Sequence, residues 1–228
     1  MGVSDNEGER IVSLHTLTPA QLRRALASPA GPRIGVAPRI QMRTEKGGLI
    51  VRPTAPPPGQ EARTAAVLVL LYPGPAGLTV ALTRRTNHLP THAGQISCPG
   101  GAADPEDPSL YQTALREARE ELGVETEGLE FLAELRTIYI PPSNFLVHPF
   151  VAYADHRPSF HPNTEEVEAV LEVPLAHLAD PDNLFSEVRD LREGRLQISY
   201  FRFGSDKIWG ATALLLDDLL SRLEAGAG

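Results

Sequence analysis

The chain has 228 residues, with 21 Lys and Arg against 29 Asp and Glu and a net charge of −8. This balance excludes a general nucleic-acid or membrane-surface binder, whose ligands are themselves anionic, while the length fits one domain with a decorated terminus and a sizeable core. The sole cysteine, Cys98, excludes an internal disulfide and fits a reducing compartment, where a small buried apolar role is the first reading and a nucleophile the second.

The N-terminus is polar and acidic, without the basic stretch and apolar run of a signal peptide. The longest apolar run, 65–72, is too short to span a bilayer. A cytoplasmic protein is expected. Thr18 as N-cap and Pro19 at the first helical position predict a short helix over 19–27. Residues 31–62 hold much of the proline and glycine, including Pro56-Pro57-Pro58-Gly59, and read as a linker-like arm with one strand near 48–52. The chain therefore divides into an N-terminal extension and arm, 1–62, and a folded domain, 63–228.

The Val/Leu run 65–72 predicts a buried strand, with 78–84 as its hairpin partner. A long loop, 85–107, leads into a helix that starts either at Asp107 with Pro108 following or at Ser109 with Gln112 as a capping box. Gly123 ends it. Leu110, Ala114, Ala118 and Leu122 recur every four residues and supply a narrow face able to pack on a sheet. Strands follow over 129–140 and 145–153, around Pro141-Pro142-Ser143-Asn144. Residues 165–172 lead into Val173-Pro174-Leu175 and a short helix near 176–178. Residues 185–189 and 196–203 form a late hairpin, and 208–223 an amphipathic terminal helix. The expected class is α/β (α+β), a mixed sheet held between helices.

The helix over 110–122 places Glu117, Glu120 and Glu121 at i, i+3 and i+4, on one side. Like charges so close weaken a helix unless a cation sits among them, and hard ions such as Mg²⁺ prefer such oxygens. A solvated acidic face is the competing reading. Gly100 and Gly101 ahead of the helix let the backbone turn tightly and approach a ligand. A glycine loop feeding an acidic helix points to metal-assisted attack on a phosphate.

This stretch resembles the Nudix hydrolases, whose box reads G-x5-E-x7-R-E-U-x-E-E-x-G-U with U aliphatic. Gly101, Arg116, Glu117, Glu120, Glu121, Gly123 and Val124 keep the pattern. Asp107 stands where the first glutamate belongs, the gap to Arg116 is one residue longer, and Ala118 fills the first aliphatic position. Upstream, Leu82-Thr83-Arg84-Arg85, Gly94 and Pro99-Gly100-Gly101 are similar to the motif of the coenzyme A pyrophosphatase subfamily, with Thr86, Pro90 and Cys98 departing from it. His92-Ala93-Gly94-Gln95-Ile96-Ser97 and Ile208-Trp209-Gly210-Ala211-Thr212-Ala213 resemble further runs of that subfamily, so the likeness covers roughly 64–220.

The resemblance implies a Nudix-type α/β/α sandwich over 63–228 that hydrolyses the pyrophosphate of coenzyme A or its thioesters, giving 3′,5′-ADP and 4′-phosphopantetheine or its acyl form. It implies Mg²⁺, with Mn²⁺ as substitute, held by Glu117, Glu120, Glu121 and the carbonyl of Gly101, which acidifies water and neutralises phosphate charge. Catalytic roles fall to Arg116, Glu117, Glu120 and Glu166, with Arg116 orienting a box glutamate and Glu165 or Glu166 as base. That pair equally suits a solvated segment. Arg84, Arg85, His88 and His92 form the densest basic group, and Arg84, Arg85, His92 and Gly100 are the substrate-binding candidates. A solvated strand end for the arginines and a packed histidine compete with that role. Trp209 reads as core first and as a stacking platform second. A small molecule is the expected partner, without nucleic acid or membrane, and the oligomeric state is open, a homodimer included. The alternatives are a Nudix pyrophosphatase for ADP-ribose or a dinucleotide, and a Nudix-fold binding module without catalysis, which the retained acids disfavour.

Overall fold

The computed structural model describes Leu14 and residues 17–27, 38–87, 94–191 and 194–226. Helix α1 (Pro19–Ala27) starts where its cap predicts, with the Gln21 amide donating to Thr18 Oγ1 and the Thr18 amide to Gln21 Oε1. Two short strands follow, β1 (Met42–Thr44) and β2 (Leu49–Ile50). The Val/Leu run forms β3 (Arg63–Gly74), which turns through Pro75-Ala76 into β4 (Gly77–Arg85). The segment read as one loop contains β5 (Ile96–Ser97) and β6 (Gly100–Ala102). These are two and three residues long and leave no periodic side-chain signal.

Helix α2 (Leu110–Leu122) is followed by β7 (Glu130–Glu134), β8 (Ile138–Ile140) and β9 (Phe145–Tyr153). The single strand expected over 129–140 is thus two. The reason lies on the partner: β7 pairs with the end of β9 and β8 with its start, and between them stands Pro149, which has no N–H to give. Its carbonyl still accepts the Leu135 amide at 2.9 Å. Then come β10 (Val167–Pro174), α3 (Leu175–Ala179), a short 3₁₀ turn (Pro181–Asn183), the hairpin β11 (Leu184–Leu191) and β12 (Gly194–Phe203), β13 (Asp206–Ile208) and α4 (Gly210–Gly226). Ile208, expected in the terminal helix, ends β13 opposite Phe201 because Gly210, at φ 65°, is where the chain turns into the helix.

Strand β3 is the centre of an eight-stranded mixed sheet of order β10-β4-β3-β9-β7, with β5 on β4, β6 on β3 and β8 on β9; only β3 and β9 run parallel. Alternation along β3 sorts its side chains. Ala66, Leu68, Leu70 and Tyr72 pack on Ala114, Ala118 and Leu122 of α2. Val69 and Leu71 face the other way, in the core that holds Leu216, Leu219, Leu220 and Leu223 of α4. Each fully buried leucine contributes about 1.5–3 kcal/mol, so both faces are firmly held. The sheet between helices matches the expected class.

A second sheet, β11-β12-β1-β2 with β13 on β12, flanks the first. The described extension shares the main core through Leu22, Ala25, Leu26 and Ile40. Asp217 of α4, buried, accepts the backbone amides of Arg39 at 3.1 Å and Ile40 at 3.4 Å, anchoring the arm. No helix among the described residues is long and apolar enough to cross a membrane.

Candidate active site

The glycine loop is drawn against β3, where Gly100 pairs with Val67 and Gly101 with Ala66. At Gly100, φ is 154° and a Cβ would lie 2.4 Å from the Ala66 carbonyl oxygen, so only glycine fits. A Cβ on Gly101 would stand 2.5 Å from the Glu117 carboxylate, which shows how closely loop and helix approach.

Helix α2 begins with Ser109, whose Oγ accepts the Gln112 amide at 3.3 Å, and ends on Gly123 in the left-handed region at φ 62°. Asp107 is therefore free of capping and does something else. Its two oxygens accept Arg116 Nε at 3.0 Å and Nη2 at 3.1 Å, while Oδ2 also accepts Thr113 Oγ1 at 2.8 Å and the Asp104 amide at 2.9 Å. The Arg116 guanidinium holds the Asp107 carboxyl well below the usual carboxylate range. The remaining Arg116 protons go to Glu117 at 2.8 Å, Glu120 at 3.1 Å and the Ala102 carbonyl at 3.2 Å. One planar cation thus ties the loop to two of the three box acids.

The three acids differ sharply in environment. Glu120 is exposed, Glu117 half-buried and Glu121 buried. Glu121 accepts the Gly100 amide at 3.3 Å and lies 3.5 Å from Arg85 Nη1. Burial pushes its carboxyl up to about 8, repulsion from Glu117 and Glu166 adds to this, and Arg85 opposes it. Burial likewise raises Glu117. Among the described residues no three side chains stand as a closed cation cage, since Glu117 and Glu120 turn to Arg116 and Glu121 to Gly100. The donor set still fits a hard divalent ion: three carboxylates and a loop carbonyl are oxygen ligands, two of the acids are raised by burial, and exposed Glu120 has room to turn.

Beside the loop opens a cleft of about 510 Å³. Val67, Ile96, Cys98, Val147, Trp209 and Leu215 give it an apolar surface, and its only charged lining residues among those described are Arg52 and Arg85. Burial, and then Glu121, push the Cys98 thiol up to about 12, which makes it an inert wall rather than a nucleophile.

The other sequence-derived candidates separate. Strand alternation sends Arg84 and Arg85 apart: Arg85 lines the cleft with its Nε buried and unpartnered among the described residues, whereas Arg84 is clamped by Asp206 at 3.0 and 2.6 Å and does not line it. Glu166 stands where β10 begins, its carbonyl accepting the Thr86 amide at 2.9 Å, and is near enough to raise both Glu117 and Glu121; Glu165 is exposed. His88, Pro90 and His92 lie outside the described residues. Arg52 and the Asp206 clamp on Arg84 carried no sequence signal, while Trp209 and Thr212 were marked by the 208–213 run.

Residues 62–191 match the NUDIX domain family. The chain is 36% identical over 175 residues to the uncharacterized Nudix hydrolase NudL of Yersinia enterocolitica, covering 74% of this chain and 87% of that protein. To NudL of Pectobacterium atrosepticum it is 36% identical over 168 residues, covering 71% and 83%. Among solved structures, the Nudix hydrolase RenU of M. smegmatis is similar over 61% of this chain and 82% of that one, at 22% identity and a TM-score of 0.44.

Proposed function

The chain belongs to the Nudix hydrolase family, and from that premise we propose that it cleaves the pyrophosphate bond of coenzyme A or its thioesters, giving 3′,5′-ADP and 4′-phosphopantetheine or its acyl form. Nudix hydrolases generally use a divalent metal, commonly Mg²⁺. The observation that carries the substrate reading is the cleft. In a chain of net charge −8, its described lining has two cations, no carboxylate and an otherwise largely apolar surface. That chemistry suits a molecule anionic at the reacting centre and long and uncharged beyond it. The subsidiary motifs at 82–101 and 208–213 support the same reading.

In this reading Glu117, Glu120, Glu121 and the Gly101 carbonyl hold Mg²⁺ or Mn²⁺, which supplies charge neutralisation to the pyrophosphate when bound. Arg116, fixed by Asp107, keeps Glu117 and Glu120 in place. Glu166 takes a proton from the attacking water as one phosphorus–oxygen bond forms and the bridging one breaks. Arg85 and the Gly100 loop bind phosphate oxygens. Arg84 acts on the substrate only through the strand it holds, and His92 is retained as a binding candidate. The reaction is assigned to 63–228, with the described part of the extension, α1 and Arg39-Ile40, packed on α4 as a buttress. A cytoplasmic setting accords with a chain whose one thiol can form no internal disulfide.

The test is product identification after incubation with Mg²⁺ and a panel of coenzyme A, its esters, NADH and ADP-ribose. Coenzyme A should exceed its 3′-dephospho form by roughly ten- to a hundredfold in kcat/KM, since a charge-assisted contact is worth about 1.5–3 kcal/mol. High salt should shrink an exposed contact. Arg85→Ala and Arg84→Ala, run on both substrates, locate the discrimination. Equal values for the two forms overturn the coenzyme A reading and leave a broader nucleoside diphosphate derivative hydrolase.

A further inference from the structure

The acids, the glycine loop and Arg85 all lie within the segment that matches the family, 62–191. Arg52, the run from Trp209 to Thr212 and Leu215 lie outside it, yet they wall the cleft. The reaction centre and the far wall therefore come from different parts of the chain. We infer that Trp209 is a specificity-determining residue whose ring packs against the uncharged, non-nucleotide half of the substrate, an inference that rests on the phosphoanhydride reading above.

Trp209 is the only tryptophan of the chain and is half-buried between β13 and α4. It packs on the small cluster of Met42, Leu196 and Ile198. The Arg189 guanidinium lies 4.4 Å from its ring centroid but does not line the cleft, so the ring is held from behind. Arg189 is itself fixed by Glu187 at 2.5 Å. A ring already immobilised loses little freedom on meeting a ligand. Its position relative to the phosphate end is also set, because Thr212 Oγ1, on the first turn of α4, donates to the Ile96 carbonyl at 3.0 Å, tying the helix to the strand beside the glycine loop.

The rest of the wall decides what the ring meets. Ile140, Phe145, Val147, Leu191 and Leu215 are apolar, and among the described lining residues no carboxylate is present to accept from the amino group of a base. Recognition of a nucleobase needs hydrogen-bonding groups along its edge as well as a stacking surface. Of the wall's hydrogen-bonding side chains, Ser97 is engaged with Thr83, Ser143 with the Ile140 carbonyl and Thr212 with the Ile96 carbonyl, so the aromatic and aliphatic remainder fits a flexible alkyl-amide arm or acyl chain instead.

The sole tryptophan makes this directly measurable in the full-length chain. Emission is followed while titrating 4′-phosphopantetheine or 3′,5′-ADP, two halves that both carry phosphate. 4′-Phosphopantetheine should shift or quench the emission saturably, and 3′,5′-ADP should leave it unchanged. A response to 3′,5′-ADP alone, or to neither, overturns the inference. Trp209→Leu should raise KM for coenzyme A by about ten- to a hundredfold with kcat nearly kept, with a smaller rise for Arg189→Ala. An unchanged KM in a Trp209→Leu protein that melts like wild type also overturns it. If Trp209→Leu fails to fold, the wild-type titration decides. Hydrolysis of coenzyme A with a silent tryptophan leaves the reaction reading standing and removes this inference; a responsive tryptophan without hydrolysis of coenzyme A or any other phosphoanhydride of the panel removes both.

Discussion

Glu121→Gln should stabilise the metal-free protein at alkaline pH while abolishing its metal-dependent turnover. The buried Glu121 carboxyl is raised from 4.5 to about 8, chiefly by burial. Between those values the unfolded chain has lost this proton and the folded chain still holds it, so stability falls as pH rises through that window. Below about pH 4.5 both states are protonated and nothing is lost; above about pH 8 the full cost of a buried charge is present. At about 1.4 kcal/mol per pH unit the ceiling is about 5 kcal/mol. Local opening reduces what is realised, and half of that ceiling corresponds to a melting shift of roughly 5–10 °C for a chain of this size. Glutamine can still accept the Gly100 amide but carries no charge to bury. The assay is thermal unfolding of wild type and Glu121→Gln in EDTA at pH 5.5 and pH 9, then with Mg²⁺ restored. The wild type should melt lower at pH 9 and regain stability with Mg²⁺, while the variant should show a smaller pH effect and little response to the ion. If wild type and variant show the same pH dependence without metal, the burial argument for Glu121 is wrong.

Arg116→Lys keeps the charge but cannot span Asp107, the Ala102 carbonyl and two glutamates, so kcat should drop roughly 10- to 100-fold with the fold intact by circular dichroism; an unchanged kcat would leave Arg116 outside the machinery. Gly101→Ala should push the Glu117 carboxylate away from the loop and weaken Mg²⁺ activation, read as a higher Mg²⁺ concentration for half-maximal rate, and an unchanged value would contradict the close approach. Glu166→Gln should cost on the order of 100-fold in kcat whereas exposed Glu165→Gln should be nearly silent, and the reverse order would move the base to Glu165.

The local elements needed little beyond the sequence: the Thr18–Pro19 start of α1, the Val/Leu run of β3 and the Gly123 end of α2 are written in caps and periodicity, whereas the start of α2, open between Asp107 and Ser109 in the sequence, is set at Ser109 by the structure. The gathering of Glu117, Glu120 and Glu121 on one side of that helix was equally legible, because helical spacing alone brings together residues three and four apart. What the sequence left open depended on partners distant in the chain. Pro149 breaks the ladder opposite 129–140, and β5 and β6 exist only through pairing with β4 and β3. Adjacent arginines with identical chemistry part company because Asp206 stands on one side of β4 and Glu121 on the other. Equal glutamates become unequal once the sheet covers Glu121 and leaves Glu120 in water. Sequence set which groups are present and how neighbours along a helix are spaced; burial and pairing across the fold, which fix charge state and direction, came only with the tertiary structure.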